Sequence, residues 1–195
     1  MKTTMLVILM AIIANGAFAQ SETAKKEKTH VSLEIDPATF AFKGYSAHIR
    51  VQPKTSEHLL LGAGVYAMDM PATLVDMNKE NADLDWKVRI NLGTGLFTEY
   101  YFKEVNSKFF TGFQLSTQEF KIENESLSGS SKYINALLMG YGGYALKPFS
   151  FPLYFKFWGG LGYTSKIKGE NVIEGKEYDI APITFFGTLH IGYTF

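Results

Sequence analysis

The side chains best suited to acid–base or metal chemistry near neutral pH are four histidines, His30, His48, His58 and His190. There is no cysteine, which excludes a thiolate nucleophile, a thiolate-bound zinc and a disulfide framework. The histidines are scattered, without the close spacing of a metal-ligand set, so no metal and no cofactor is expected. Ser46-Ala47-His48 puts a hydroxyl and an imidazole on one face of an extended segment, the minimal pair for a serine nucleophile and its base. A further set is purely charged. Lys87, Arg89 and Glu99 share one face of a long alternating segment, while Glu34, Arg50 and Lys156 recur among other alternating runs.

The elements that carry these residues have a period of two, the period of strands. In 86–103, Val88, Ile90, Leu92, Thr94, Leu96, Thr98, Tyr100 and Phe102 form one face. Lys87, Arg89, Asn91, Gly93, Gly95, Phe97, Glu99 and Tyr101 form the other. That run far exceeds the roughly five or six residues of a typical globular strand. Turn chemistry divides the remainder: short connections at 53–57, 104–108 and 147–152 alternate with longer polar ones at 70–85, 123–132 and 166–177. Eight strands result, near 30–36, 39–52, 58–69, 86–103, 109–122, 133–147, 152–165 and 178–195, with a turn at 36–39 and a candidate short helix within 71–81. Segments 59–68, 134–146 and 153–163 resist a clean two-face division, being apolar and glycine-rich on both sides.

Such strands predict an all-β fold, an eight-stranded antiparallel up-and-down barrel over 29–195. Composition fits a barrel crossing a bilayer. Formal net charge is +0 and mean hydropathy -0.02, as expected when an apolar exterior and a charged interior cancel. The neutral balance also argues against nucleic-acid binding. Aromatic residues make up 15% of the chain. They gather at the short-turn end (Tyr100, Phe102, Phe109, Tyr144, Phe149, Phe151, Tyr193, Phe195) and at the long-loop end (Phe40, Trp86, Tyr133, Tyr163, Tyr178), as two interfacial girdles would. Residues 1–19 read as a secretory signal peptide, with Lys2, an apolar stretch and Ala17-Phe18-Ala19, and 20–28 as a polar lead-in.

The chain ends Leu189-His190-Ile191-Gly192-Tyr193-Thr194-Phe195. Here it resembles the small outer-membrane β-barrel proteins of Gram-negative bacteria, of the OmpA-transmembrane, OmpX and OmpW types. The resemblance implies outer-membrane localisation, contact with outer-membrane lipid, and a closing strand read through Leu189, Ile191, Tyr193 and Phe195 by the assembly machinery, with periplasmic chaperones as further partners. It implies no activity. Some barrels of this kind modify lipid, but Ser46 and His48 point inward here, away from any lipid substrate, so an enzyme is not expected.

In an eight-stranded barrel the interior is just wide enough for side chains. The expectation is therefore a monomer whose lumen is filled by a network of Glu34, His48, Arg50, Lys87, Arg89, Glu99, Lys156 and His190. Two storeys are predicted: Glu34 with Arg89 or Lys87, and Glu99 with Arg50 or Lys156, since unpaired buried charge is costly. The role would be structural or surface-binding through the outer loops. The alternatives are a narrow channel or hydrophobic-ligand conduit, a lipid-modifying enzyme, and a soluble ligand-binding barrel.

Overall fold

The computed structural model describes residues 28–195. The expected leader, and the lead-in apart from Lys28, lie outside the described residues. The wall is a single closed antiparallel sheet of eight strands: β1 (His30–Ile35), β2 (Tyr45–Gln52), β3 (Leu59–Asp69), β4 (Trp86–Tyr101), β5 (Lys108–Asn124), β6 (Ser131–Leu146), β7 (Leu153–Gly169) and β10 (Ile183–Thr194). Two short strands, β8 (Val172–Ile173) and β9 (Lys176–Glu177), form a hairpin in the last long loop. Sequence neighbours pair throughout the meander, and the last strand closes on the first through Leu33–Tyr193 and Ile35–Ile191.

The wall is uneven in height. Strands β4 to β7 run 16 or 17 residues, whereas β1 has 6 and β2 has 8. A strand starting near Phe40 was expected, but Pro37–Ala41 instead forms a short helix, α1, which packs against β2, β3 and β10. Its start has a clear chemical cause. The Asp36 carboxylate accepts from the Ala38 amide at 2.9 Å, and Pro37 has no N–H to leave unsatisfied in the first turn. A second short helix, α2 (Ala72–Val75), lies in the loop where a helix was a candidate.

The register breaks at two extra residues: one in β4 at Asn91, which shifts the pairing with β3 between Tyr66 and Met68 and with β5 between Ile90 and Leu92, and one in β7, opposite Ile134 and Asn135. In β4 the extra residue reverses the facing of the strand beyond it. On the short-turn side of the shift in β4, Glu99 and Tyr101 point in, and Leu92, Leu96 and Tyr100 point out. On the long-loop side, Trp86, Val88 and Ile90 point in, and Lys87 and Arg89 point out.

Strand β5 makes the same exchange with unbroken alternation. Its outward residues run from Phe109, Phe113 and Leu115 to Glu119, Lys121 and Glu123. Its inward residues run from Gln114, Ser116 and Gln118 to Phe120 and Ile122. Along β4 and β5 the outer face is thus apolar in the short-turn half and polar in the long-loop half, and the inner face changes the opposite way, while Leu60, Val105, Phe110 and Ala145 add a small apolar cluster inside the short-turn end.

This inversion corrects the second girdle. Trp86 and Tyr133 face inward, packed around a half-buried Tyr178, in a core with Val75, Val88, Ile90, Phe120, Ile122 and Ile173. Phe40 and Tyr163 remain exposed at that height. At the short-turn end Tyr100, Phe102, Phe109, Phe149, Phe151, Tyr193 and Phe195 are all exposed.

Candidate functional site

The short-turn half of the interior is built around two buried carboxylates and two buried cations. Register positions them: Glu34 of β1 lies between His48 of β2 and Gly192 of β10, and Lys156 of β7 lies directly across from His190 of β10. Lys156 Nζ is 2.8 Å from Glu34 Oε1 and 2.9 Å from Glu99 Oε1, joining strands that are not neighbours in the sheet. Arg50 Nε donates to Glu34 Oε2 at 3.1 Å, and its Nη1 is 3.6 Å from Glu99 Oε1. His190 Nδ1 is 3.0 Å from Glu34 Oε2.

Tyrosines occupy the remaining acceptor positions. Tyr154 donates to Glu34 Oε1 at 2.8 Å, Tyr141 to Glu99 Oε1 at 2.9 Å and Tyr101 to Glu99 Oε2 at 2.9 Å. Glu34, Arg50, Glu99 and Lys156 are each at most 2% exposed. Ions so buried are tolerated when paired and hydrogen-bonded, and each of the four is paired, with Arg50 Nη1 the one buried polar atom of the set that has an ion-pair contact but no hydrogen bond. Two negative and two positive side chains cancel. The Arg50 guanidinium also lies 4.2 Å from the centroid of the Phe97 ring.

Glycines in β3 make room for this set. A Cβ on Gly62 would strike the Arg50 side chain, and one on Gly64 would come within 2.8 Å of the His48 ring. The apolar, glycine-rich β3 that resists a two-face reading is therefore the strand over which Arg50 and His48 of β2 lie.

Lys87 and Arg89 do not join the network, and no upper storey with Glu34 forms. The shift at Asn91 turns both outward. Lys87 Nζ is 2.8 Å from Glu125 Oε1, a hydrogen bond that holds the Glu125 carboxyl below the usual carboxylate range. Arg89 pairs with Asp69 at 2.5 Å. Glu34 takes Arg50 and Lys156 in their place.

His48 faces inward, but its Ser46 neighbour is engaged elsewhere. Ser46 Oγ accepts from the Asp36 amide at 2.6 Å and lies 3.3 Å from Thr39 Oγ1. Among the described residues, neither ring nitrogen of His48 has a hydrogen-bond partner. The fold does bring two histidines together that sequence spacing keeps apart: the rings of His48 and His190 are 4.9 Å apart, edge to face. With Glu34 they offer three ligand atoms within 4.8 Å of one another. Glu34 already holds two cations there, and a metal ion would be placed against both. His58 is tied to the Tyr101 carbonyl at 2.8 Å, near the short turns.

Above the charged floor lies a partly open cavity of about 140 Å³. Met68, Ile90, Phe97, Leu137, Met139 and Phe186 supply its apolar walls, and His48, Gln114, Gln118, Trp158 and His190 its polar rim. None of these apolar wall residues is a candidate site residue by sequence. Met68, Leu137 and Met139 fall in the segments that are apolar on both faces, the pattern of a strand with an apolar exterior and a cavity inside. Farther out, burial pushes the Tyr178 phenol up to about 12.

At the end of the chain, Phe195 is exposed while its amide donates to the Val31 carbonyl at 2.8 Å. Leu189, Ile191 and Tyr193 share the outward face of β10 and lie opposite Phe157, Phe155 and Leu153. No family model matches the chain, and no curated protein is similar to it in sequence. Among solved structures it is similar to the crystal structure of Neisserial surface protein A, at 14% identity over 85% of this chain and 92% of that one, with a TM-score of 0.38.

Proposed function

We propose that this chain is an integral protein of the bacterial outer membrane, monomeric and plugged by its own side chains, acting through its rigid outer end in a structural or surface-binding role. The inversion of polarity along β4 and β5 carries this reading. Leu92 to Phe102, about ten residue steps of roughly 3.4 Å, gives ~34 Å along the strand, or ~26 Å of height at a tilt of about 40°. That matches the outward apolar band of about 25 Å in membrane barrels. The short-turn end, with both ends of the sheet, would face the periplasm, and Leu189, Ile191, Tyr193 and Phe195 would present the closing strand to the assembly machinery.

The long-loop half would then stand above the bilayer as a solvated barrel with its own apolar core. Its loops are fastened to one another. Asn81 donates to the Asp179 carbonyl at 2.8 Å and accepts from the Asp179 amide at 2.9 Å, while Asn78 reaches the Asp179 carboxylate at 2.7 Å. A preordered surface suits binding, because little ordering entropy remains to be lost on contact.

The plug follows from Lys156, which joins carboxylates of β1 and β4 from β7. No catalytic role is proposed, since Ser46 and His48 share no hydrogen bond. The test is membrane fractionation with gel mobility before and after boiling. A folded outer-membrane barrel stays with the outer membrane and shifts on heating. Recovery in the soluble fraction overturns the reading. Planar bilayers should show no steady conductance, and regular single-channel steps would replace the plug with a pore.

A further inference from the structure

We propose that the cavity above the charged floor binds a small neutral amphiphile: an apolar body the size of a benzene ring carrying one hydrogen-bonding group, as in the phenols, with that group held by His48. Size sets the body. The cavity measures about 140 Å³, close to the ~150 Å³ apolar cavity that takes up benzene. Its walls include Met68 and Met139, whose unbranched, polarizable side chains adapt to a guest.

The polar group follows from what the fold leaves unsatisfied. His48 is only 5% exposed, and both its ring nitrogens are buried without a partner. Trp158 Nε1, on the same cavity, is likewise buried and unpartnered. Buried polar groups are normally paired, and an orphaned one costs about 1–3 kcal/mol, so these unmatched groups on one small apolar chamber point to a guest that completes them. The imidazole and indole flank His190, with ring centroids at 4.9 and 5.7 Å from it.

Charge sets the class. An anion would need an uncommitted cation, and Arg50 and Lys156 are both taken by Glu34 and Glu99. A cation would need a free carboxylate. Asp36, on the cavity wall, accepts through Oδ1 from the Ala38 amide at 2.9 Å and from Thr188 Oγ1 at 2.9 Å, and its Oδ2 is turned toward His190 Nε2, 4.0 Å away. A neutral guest leaves the balanced floor undisturbed.

The chain has two tryptophans, Trp86 and Trp158, so Trp86→Phe leaves Trp158 as the sole indole reporter. That variant, refolded into lipid nanodiscs, is titrated with 4-bromophenol and separately with bromobenzene, each quenching Trp158 by the heavy-atom effect. Saturable quenching by both is expected. Adding His48→Leu should weaken 4-bromophenol by about tenfold, the equivalent of one lost hydrogen bond of ~1.4 kcal/mol, and leave bromobenzene within about twofold. Adding Leu137→Phe, which fills the cavity, should abolish saturation for both. Heat-modifiable mobility verifies folding of each variant. If a variant does not fold, anomalous bromine density in crystals of the natural chain soaked with 4-bromophenol decides: bromine in the cavity supports the proposal, and water alone there overturns it. Quenching that rises without saturation, survives Leu137→Phe, or is equally indifferent to His48→Leu for both ligands also overturns it.

Discussion

Replacing Lys156 by methionine removes the cation shared by two buried carboxylates while keeping most of the side-chain volume. Lys156 is 0% exposed and lies 2.8–3.3 Å from four carboxylate oxygens of Glu34 and Glu99. The floor then changes from two positive and two negative groups to one against two. Breaking a buried pair by removing one partner costs about 3–5 kcal/mol, and Arg50 alone cannot serve both carboxylates at short range. Lys156→Met should therefore lower unfolding stability by about 4 kcal/mol, measured by urea titration of refolded protein in lipid vesicles with tryptophan fluorescence. Adding Glu99→Gln restores one positive and one negative group, and the double variant should recover about 2 kcal/mol, a coupling typical of residues in one network. Because the pairs are buried, the single-variant loss should be nearly the same at about 0.1 M and about 1 M salt, where Debye lengths fall from roughly 10 to 3 Å. A loss below about 1 kcal/mol, or a double variant less stable than Lys156→Met, refutes the reasoning.

Three other outcomes follow from the same geometry. Tyr101→Phe removes the hydroxyl that donates to Glu99 at 2.9 Å, and should cost about 1.5–3 kcal/mol in the same titration. Leu96→Arg places a charge in the apolar outward band and should destabilise by about 2–4 kcal/mol in vesicles, whereas Lys87→Ala, above the band, should stay within about 0.5 kcal/mol. Deleting Asn91 removes the extra residue of β4, so Lys87 and Arg89 would turn inward against Val75 and Phe120. The refolded fraction, read by heat-modifiable mobility, should fall severely, while Asn91→Ser should refold as the natural chain does.

Alternation and turn chemistry carried the eight-stranded meander, because a period of two survives any choice of which face is inside. The choice of face is where sequence reasoning fails. Trp86, Val88 and Ile90 alternate with Lys87, Arg89 and Asn91, and this pattern serves equally for a lipid-facing strand and for a solvated strand around an apolar core. Only the height of the segment along the barrel decides, and the shift at Asn91 that records it has no turn signature of its own. The floor was easier to read. Glu34, Arg50, Glu99 and Lys156 are charges in otherwise apolar strands, and such residues have little choice but to meet. The nearness of His48 to His190 comes from sheet closure, which joins opposite ends of the chain. Asp36-Pro37 marks a break in the chain, and the turn expected at 36–39 is the first turn of α1.

The environment changes partway up β4 and β5, and β5 tests this without a bulge of its own. The chain has no native cysteine, so single cysteines at Phe109, Phe113, Leu115, Glu119, Lys121 and Glu123 can each carry a nitroxide. Accessibility to oxygen, which concentrates in lipid, and to a water-soluble nickel chelate is then compared in bilayers. Oxygen should dominate at 109, 113 and 115, and the nickel chelate at 119, 121 and 123, with the crossover between Leu115 and Glu119. Nickel-chelate accessibility along the whole face, or oxygen dominance through 123, would contradict it.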